Sequence, residues 1–187
     1  MKHIVVVDFA TASCILGAVK DVDAVVSIGD PGSAPPPTLH REGRQILRLE
    51  FHDVERDSVT AEELIAAGIP SVGFTPPSRE MVRELLDWSP RLLAGEGTLV
   101  CHCLSGLSRS TACAAVLAAV DRGPGGELAA MATVASRTQH VFMPNRAILR
   151  LADELRGPGS RLLEAYDTWR TSDGEWLQGA SHGYRPG

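Results

Sequence analysis

One stretch near the middle of the chain restricts the fold more than any other, because it joins two apolar runs through a short loop. Residues 98–101 (TLVC) predict a buried strand, and residues 111–120, which are rich in Ala and Val, predict a buried helix. The loop between them holds Cys103 near its start, Gly106 in its middle and Arg109 at its end. A strand, a tight loop and a helix in this order place a thiol and a guanidinium around one point.

The loop has the chemistry of a phosphate site. A loop that leads into a helix N-terminus directs backbone N–H groups at one spot, and the helix dipole adds positive potential there. A dianionic phosphoryl group fits this field, and Arg109 can bind two of its oxygens in a fork. The same field favours the thiolate of Cys103, which is the nucleophilic form. Either residue alone is better explained as a packing or a solvated side chain, but together, with Gly and Ser between them, they favour a phosphate-binding cysteine loop.

The sequence HCLSGLSRS at residues 102–110 resembles the signature of the cysteine-dependent protein tyrosine phosphatases. Ser108, just before the arginine, resembles the dual-specificity branch, in its bacterial type. The resemblance covers residues 4–155, and only the loop is highly specific. It implies the protein tyrosine phosphatase fold, hydrolysis of phosphoric monoesters through a phosphocysteine intermediate, and no requirement for a metal or cofactor.

Carried over residue by residue, the resemblance implies a role for each position of the loop. Cys103 is the nucleophile, Arg109 binds the phosphate, and Ser110 hydrogen-bonds the thiolate and eases its departure from the phosphocysteine. His102 is a supporting residue that holds the loop. The positions that surround the phosphate are Leu104, Ser105, Gly106, Leu107 and Ser108.

The reaction also needs an acid, because the leaving alkoxide or phenoxide must be protonated and a water must later be deprotonated. Asp53 follows a predicted strand at residues 45–51, and α/β active sites collect at such strand ends. Residues 49–54 (LEFHDV) also resemble the strand-end Asp of bacterial dual-specificity-like phosphatases, although the receptor-type Trp-Pro-Asp sequence is absent. We therefore predict Asp53 as the general acid. Asp57 and then Glu55 are the alternatives, and a solvated role for all three stays open.

A later segment carries a weaker resemblance. The residues Arg137 and Pro144-Asn145 resemble the late Arg…Pro-Asn segment of dual-specificity phosphatases. Asn145 then fixes this segment, or it is a plain N-terminal cap of the next helix, and the two readings are equally good.

The hydrophobic pattern predicts an α/β chain with one domain. The predicted strands are 4–7, 23–28, 45–51 and 98–101. The predicted helices are 11–20 with Thr11 as its cap, 58–67, 78–93 with a kink or break at Pro90, 111–120, 127–136, 147–156 and 160–170. We expect a three-layer-type sandwich, in which a central, mostly parallel sheet of about four to five strands is flanked by helices. Residues 1–170 then form the phosphatase-like domain and residues 171–187 a flexible C-terminal tail. The Pro/Gly-rich residues 68–77 either line the rim of the site or form a surface insertion.

Composition limits the partners. The 187 residues, 44% hydrophobic, suit one domain with its own core, and a net charge of -5 disfavours a nucleic-acid partner. No signal peptide or membrane span is evident at the N-terminus, and free-thiol chemistry requires a reducing compartment, so we expect a cytoplasmic protein without a membrane partner. The four cysteines form no C-x-x-C unit, and no second ligand pair follows residues 101–103 (CHC), which disfavours zinc.

The loop also limits the substrate. Phosphoinositide phosphatases of the family that the chain resembles tend to carry Lys in this loop, and this loop has none, so the resemblance disfavours a highly phosphorylated inositol. It leaves a phosphorylated protein, on tyrosine or on serine and threonine, or a small phosphoester. Two other classes compete: a phosphate-binding module without catalysis, and a sulfur-transfer enzyme of the rhodanese type, whose loop lacks the His-Cys and Arg-Ser pairs. Cys101 or Cys113 could trap an oxidised Cys103 as a disulfide, but burial as packing residues is the simpler reading.

Overall fold

The computed structural model describes residues 2–54 and 74–180, with side chains in the last helix described as far as residue 172. Several predictions from the sequence lie outside these ranges: the helix at 58–67, the first part of the Pro/Gly-rich loop, and the alternative acids Asp57 and Glu55.

A parallel sheet forms the centre of the described structure. Its strands are β1 His3–Val7, β2 Val22–Gly29, β3 Gln45–Glu50 and β4 Thr98–His102. They lie in the order β1-β4-β2-β3, and every neighbouring pair is parallel, as in the register of Val25 with Val100 and Ile46. The predicted parallel sheet is confirmed. Because all four strands run in one direction, the segments that follow their carboxyl ends meet at a single edge.

Helices cover both faces of the sheet. They are α1 Phe9–Ala18, α2 Arg79–Leu92, α3 Arg109–Arg122, α4 Glu127–Ala135, α5 Arg146–Arg156 and α6 Leu162–Ala180. Successive strand residues point to opposite faces, so Val100 packs with Leu16 of α1 while its neighbour Cys101 packs in the larger core with Leu117 of α3. This arrangement confirms the three-layer sandwich. No helix in the described residues is long and apolar enough to cross a membrane.

The cap predicted for the first helix is wrong. Asp8, not Thr11, is the N-cap of α1, and its Oδ1 accepts a hydrogen bond from the Thr11 backbone N–H at 2.6 Å. Asp8 directly follows β1, so the chain enters the helix without an intervening turn. A carboxylate in this position also interacts favourably with the helix dipole.

Of the kink or break predicted at Pro90, the break is wrong, because α2 continues through it to Leu92. A proline in a helix has no N–H for the carbonyl four residues earlier, here that of Leu86. The Ser89 hydroxyl donates to this carbonyl at 2.7 Å and replaces the missing bond.

The last helix begins later than predicted and extends further. The Asp153 carboxylate of α5 accepts hydrogen bonds from the backbone N–H groups of Leu162 at 2.7 Å and Leu163 at 3.0 Å, so a side chain from another helix caps α6. The helix continues beyond residue 170 to Ala180. The division into a domain at 1–170 and a tail at 171–187 stays a prediction.

A buried arginine ties the connection before β3 to the rest of the fold. Arg44 is 7% exposed. Its guanidinium donates to the backbone carbonyls of Leu16, Val22, Thr38 and Leu39. Charge-assisted bonds to several carbonyls offset the cost of burying the charge.

We expect Arg44→Met to lower the free energy of unfolding by about 3 kcal/mol or more, because four carbonyls lose a charged donor. The matched control is Arg41→Met, since Arg41 is exposed and its bond to the Lys20 carbonyl measures 3.1 Å. This control should change stability by only about 0.5 kcal/mol. Urea denaturation of the three proteins measures the difference, and equal midpoints for the two variants would contradict the structural role of Arg44.

Candidate active site

The cysteine loop lies where β4 ends at the carboxyl edge of the sheet and α3 begins at Arg109. Gly106 allows the loop to fold against β1. Its φ is +69°, and a Cβ at this position would lie 2.8 Å from the Val7 carbonyl carbon and the Asp8 nitrogen. Only glycine accommodates both the backbone conformation and this close approach.

The loop carbonyls are bound from outside the loop. The Leu104 carbonyl accepts a hydrogen bond from the backbone N–H of Phe9, the Leu107 carbonyl from that of Met143, and the Ser108 carbonyl from that of Asn145, each at 3.2 Å. In a planar trans peptide the N–H points opposite to the carbonyl before it. Because the donors lie around the outside of the loop, the amides of Ser105, Ser108 and Arg109 point towards its interior. An anion placed there would meet several backbone N–H groups.

The predicted nucleophile lies at the base of this loop. Cys103 is 1% exposed, and its Sγ lies 3.2 Å from the Ser110 Oγ in the first turn of α3. Both side chains are therefore next to the helix N-terminus, where the dipole favours negative charge. A hydroxyl donor at this distance can stabilise a thiolate.

The guanidinium of Arg109 is hydrogen-bonded to protein groups through Nη1 but not through Nε. Its side chain is buried, and Nη1 donates to the Asp30 carboxylate and to the Phe51 carbonyl, both at 2.6 Å. Within the described residues, the buried Nε has no hydrogen-bond partner. Buried polar groups are rarely left unpaired, and an orphaned donor beside inward-pointing amides is what an anion would satisfy.

The predicted acid is held directly over the loop. Asp53 Oδ1 accepts from the Ser108 hydroxyl at 2.7 Å and from the Asn145 side-chain amide at 2.9 Å. The Asn145 Oδ1 in turn accepts from the backbone N–H of Ile148 at 3.3 Å. Asn145 is thus both the N-cap of α5 and a contact of Asp53, so the two readings from the sequence are compatible.

His102 is buried beneath the loop. It has no exposed surface, and within the described part of the chain neither ring nitrogen has a hydrogen-bond partner. Its ring makes an edge contact with Phe9, with 6.1 Å between centroids. Burial, together with the nearby positive charge of Arg48, lowers the pKa of His102 to about 4. The imidazole is therefore neutral in the folded protein, and its role in holding the loop stays a prediction.

The lowered pKa of His102 predicts that the folded protein loses stability in acid. Between pH 6.5 and pH 4 the unfolded chain binds a proton at His102 that the folded chain does not, so stability falls as pH falls through this range. Over this pH range the free energy of unfolding falls by about 3 kcal/mol in total. Urea denaturation of the wild type and His102→Asn from pH 7 to pH 4 measures it, and the variant should give the flatter curve. Parallel curves would show that His102 does not titrate as the structure implies.

The other core cysteines are neutral packing residues in this structure. Cys101 and Cys113 are fully buried free thiols. Burial, and after it the electrostatic influence of the neighbouring Cys103 group, raises the pKa of Cys101. Burial likewise raises the pKa of Cys113. Among the residues that the structure describes, no three His, Cys, Asp or Glu side chains are grouped to hold a metal ion.

Known proteins resemble this chain in structure, at low sequence identity. No protein-family model and no curated protein matches it. The structure is similar to human DUSP28, at 17% identity over 88% of this chain and 94% of that chain, with a TM-score of 0.50. The chain has the protein tyrosine phosphatase fold. Two further crystal structures that are similar are DUSP15 (19% identity, 89% and 92% coverage, TM-score 0.49) and Tk-PTP in its active form (21% identity, 82% and 86% coverage, TM-score 0.48).

Within this phosphatase fold, sequence reasoning missed contacts of the site, among them those that Asp30 and Ser108 make. The bond from Asp30 to Arg109 joins residues 79 positions apart. The Ser108 hydroxyl, predicted only as part of the loop, also bonds Asp53. A signal for Asp30 was present, because it directly follows β2 and so lies at the same carboxyl edge of the sheet as Asp53 and the loop.

Proposed function

We propose that this chain is a phosphoric monoester hydrolase of the protein tyrosine or dual-specificity phosphatase type, which acts through a phosphocysteine intermediate. The observation that supports this most strongly is Arg109, a buried guanidinium whose Nε has no acceptor among the described residues and which follows a loop with inward-pointing amides. A phosphoryl group at this point would accept from Arg109 and the amides together. The thiol of Cys103 would then lie beneath the phosphorus.

In the first step, the Cys103 thiolate attacks phosphorus and forms a P–S bond. The P–O bond to the leaving group breaks, and its electron pair stays on the leaving oxygen. Asp53 protonates that oxygen. With Oδ1 held by Ser108 and Asn145, Oδ2 is the oxygen that carries the transferable proton. Arg109 and the amides stabilise the charge on the equatorial oxygens.

In the second step, water attacks the phosphocysteine. Asp53, now a carboxylate, takes a proton from the water, which is the reverse of its first role. The P–S bond breaks and Cys103 leaves as a thiolate. The Ser110 hydroxyl, 3.2 Å from the sulfur, stabilises this leaving group. Inorganic phosphate is released, and the starting charge state is restored.

The substrates that we propose are phosphorylated proteins or small phosphoesters. The loop residues from Leu104 to Ser108 carry no charged side chain that would bind a second phosphate. Asp53, which is held by two hydrogen bonds, would protonate the leaving oxygen of any monoester that reaches it. The proposal therefore covers aryl and alkyl monoesters.

A chemical trap tests the proposed mechanism. Wild-type protein mixed with p-nitrophenyl phosphate and quenched with acid should carry one phosphoryl group on the tryptic peptide that contains Cys103, as measured by mass spectrometry. Turnover should continue in the presence of a chelator. Sustained hydrolysis without any phosphopeptide would reject the covalent mechanism, and binding of phosphate without hydrolysis would favour a non-catalytic phosphate-binding module.

Asp53→Asn tests the acid. We expect kcat for phenyl phosphate to fall by about a hundredfold or more, because phenoxide leaves poorly without a proton. The loss should be smaller for p-nitrophenyl phosphate, whose leaving group is more stable, and the pH dependence of the remaining rate should flatten. Asp57→Asn is the comparison variant. If Asp57→Asn shows the larger loss and the leaving-group dependence, Asp57 is the acid instead.

A further inference from the structure

The residue before the predicted acid is fastened to the segment that leads into α2. The His52 backbone N–H donates to the Thr75 carbonyl at 2.7 Å, and the Thr75 backbone N–H donates to the His52 ring nitrogen Nδ1 at 2.9 Å. The ring also makes an edge contact with Phe74, with 5.2 Å between centroids. We call these contacts of His52 with Phe74 and Thr75 the histidine clasp. Through it, His52 binds both backbone polar groups of one residue in another segment.

The clasp determines which nitrogen of the His52 ring is the acceptor. A backbone N–H can only donate, so Nδ1 accepts from Thr75 and carries no proton, and the proton of the neutral ring is on Nε2. An aliphatic side chain of similar size could pack against Phe74 in the same space. It would leave the Thr75 N–H without its acceptor, so the two contributions of the ring can be separated by substitution.

Asp53 lies in a turn that begins at the clasp. The Val54 N–H donates to the His52 carbonyl at 2.9 Å, which closes a three-residue turn with Asp53 in the middle. Apart from the Asp53 carboxylate itself, the described residues hydrogen-bond this turn to another segment only through His52 and Thr75. The direction in which the Asp53 side chain leaves the turn therefore depends on where the clasp holds His52.

The arginine of the phosphate site is held by a different residue. The Phe51 N–H donates to the Gly29 carbonyl at 3.0 Å beyond the end of β3, and the Phe51 carbonyl accepts from Arg109 at 2.6 Å. Phe51 thus supports Arg109 from the sheet, whereas His52 supports the turn that carries the acid. A change in the His52 side chain should therefore affect proton transfer more than phosphate binding.

We propose that His52 is a positioning residue for Asp53, because its ring acceptor and the Thr75 N–H hold the turn that carries the acid over the cysteine loop. The inference rests on the proposed function, since it gives His52 a role through the acid of that reaction. His52 itself exchanges no proton with the substrate. Without the clasp, Asp53 would reach the leaving oxygen in a smaller share of the bound complexes, and protonation of that oxygen would slow.

Two substitutions at His52 separate the hydrogen bond from the packing. His52→Leu has no acceptor and should lower kcat/KM for phenyl phosphate by about tenfold, but that for p-nitrophenyl phosphate by about twofold or less, since p-nitrophenoxide leaves more easily without a proton. His52→Asn places a side-chain oxygen near the position of Nδ1 and should restore the phenyl phosphate value to within about threefold of the wild type. Steady-state kinetics measure these values.

A matched control and a binding measurement show whether the site stays intact. His40→Leu makes the same exchange at an exposed histidine outside the clasp and should leave kcat/KM for both esters within about twofold of the wild type. Calorimetric titration with inorganic phosphate should give affinities within about twofold for the wild type and the three variants. A phosphate affinity that His52→Leu lowers by about tenfold would overturn the inference, because the clasp would then serve the phosphate loop.

A double-variant cycle tests whether His52 acts through Asp53. In the Asp53→Asn background the acid is absent, so His52→Leu should lower kcat/KM for phenyl phosphate by no more than about a further twofold. Losses that multiply, equal losses for the two esters, or failure of His52→Asn to restore the rate would overturn the positioning role and leave the proposed function standing. Absence of hydrolysis by the wild type would overturn the proposed function, and this inference with it.

Discussion

Replacing Cys103 by Ser is expected to lower kcat for p-nitrophenyl phosphate by about a thousandfold or more. A serine hydroxyl is not ionised near neutral pH, and among the described residues no base is hydrogen-bonded to this position. The thiol, in contrast, lies at a helix N-terminus with the Ser110 hydroxyl 3.2 Å away. The substitution changes one atom in a side chain that is 1% exposed, so the loop should keep its shape. Phosphate should therefore bind the variant with an affinity within about threefold of the wild type, because Arg109 and the loop amides are unchanged.

The combination of lost turnover and kept binding separates a nucleophile from a structural cysteine. Cys113→Ala is the matched control, because it removes another buried thiol of the same core and leaves Cys103 intact. Its rate should stay within about threefold of the wild type, with a loss of stability from the small cavity. A wild-type rate no higher than that of Cys103→Ser would mean that the chain binds phosphate without catalysis.

The sequence predicts the parts of this fold that depend on local pattern. The strands and the buried helix α3 follow from runs of apolar residues, and the cysteine loop follows from the spacing of Cys103, Gly106 and Arg109. Each of these signals lies within about ten residues of chain. The hydrophobic pattern also predicts most of the parallel direction of the sheet, because helices separate β1 from β2 and β3 from β4, whereas β2 and β3 follow each other without a helix between them.

The contacts that sequence reasoning missed join side chains and backbone groups of different elements of the fold. Asp30 bonds Arg109 from the end of β2, and the Asp153 carboxylate caps α6 from α5. A pattern of hydrophobic residues says which face is buried but not which polar side chain reaches across an edge of the sheet. The cap at Asp8 is different, because Asp8 and Thr11 are both good caps and only the position of the end of β1 decides between them.

Arg109→Lys is the second substitution with a large expected effect, a fall in kcat/KM of about a hundredfold to a thousandfold. The Nη1 atom of Arg109 donates to the Asp30 carboxylate and to the Phe51 carbonyl, and its Nε, which has no partner among the described residues, is available to the proposed phosphate. A lysine ammonium is a single point with a shorter reach, so it can keep the charge but not this geometry. Phosphate binding should weaken together with turnover, in contrast to Cys103→Ser.

The matched control for this substitution is Arg79→Lys. Arg79 also bonds a carboxylate, that of Glu154 at 2.8 Å, but both side chains are 47% exposed, so the exchange should leave activity and phosphate affinity within about twofold. Steady-state kinetics and calorimetric titration with inorganic phosphate measure the two quantities. If Arg109→Lys loses turnover but binds phosphate as tightly as the wild type, the arginine does not bind the ground-state phosphate, and its role is limited to the transition state or to holding Asp30 and Phe51 in place.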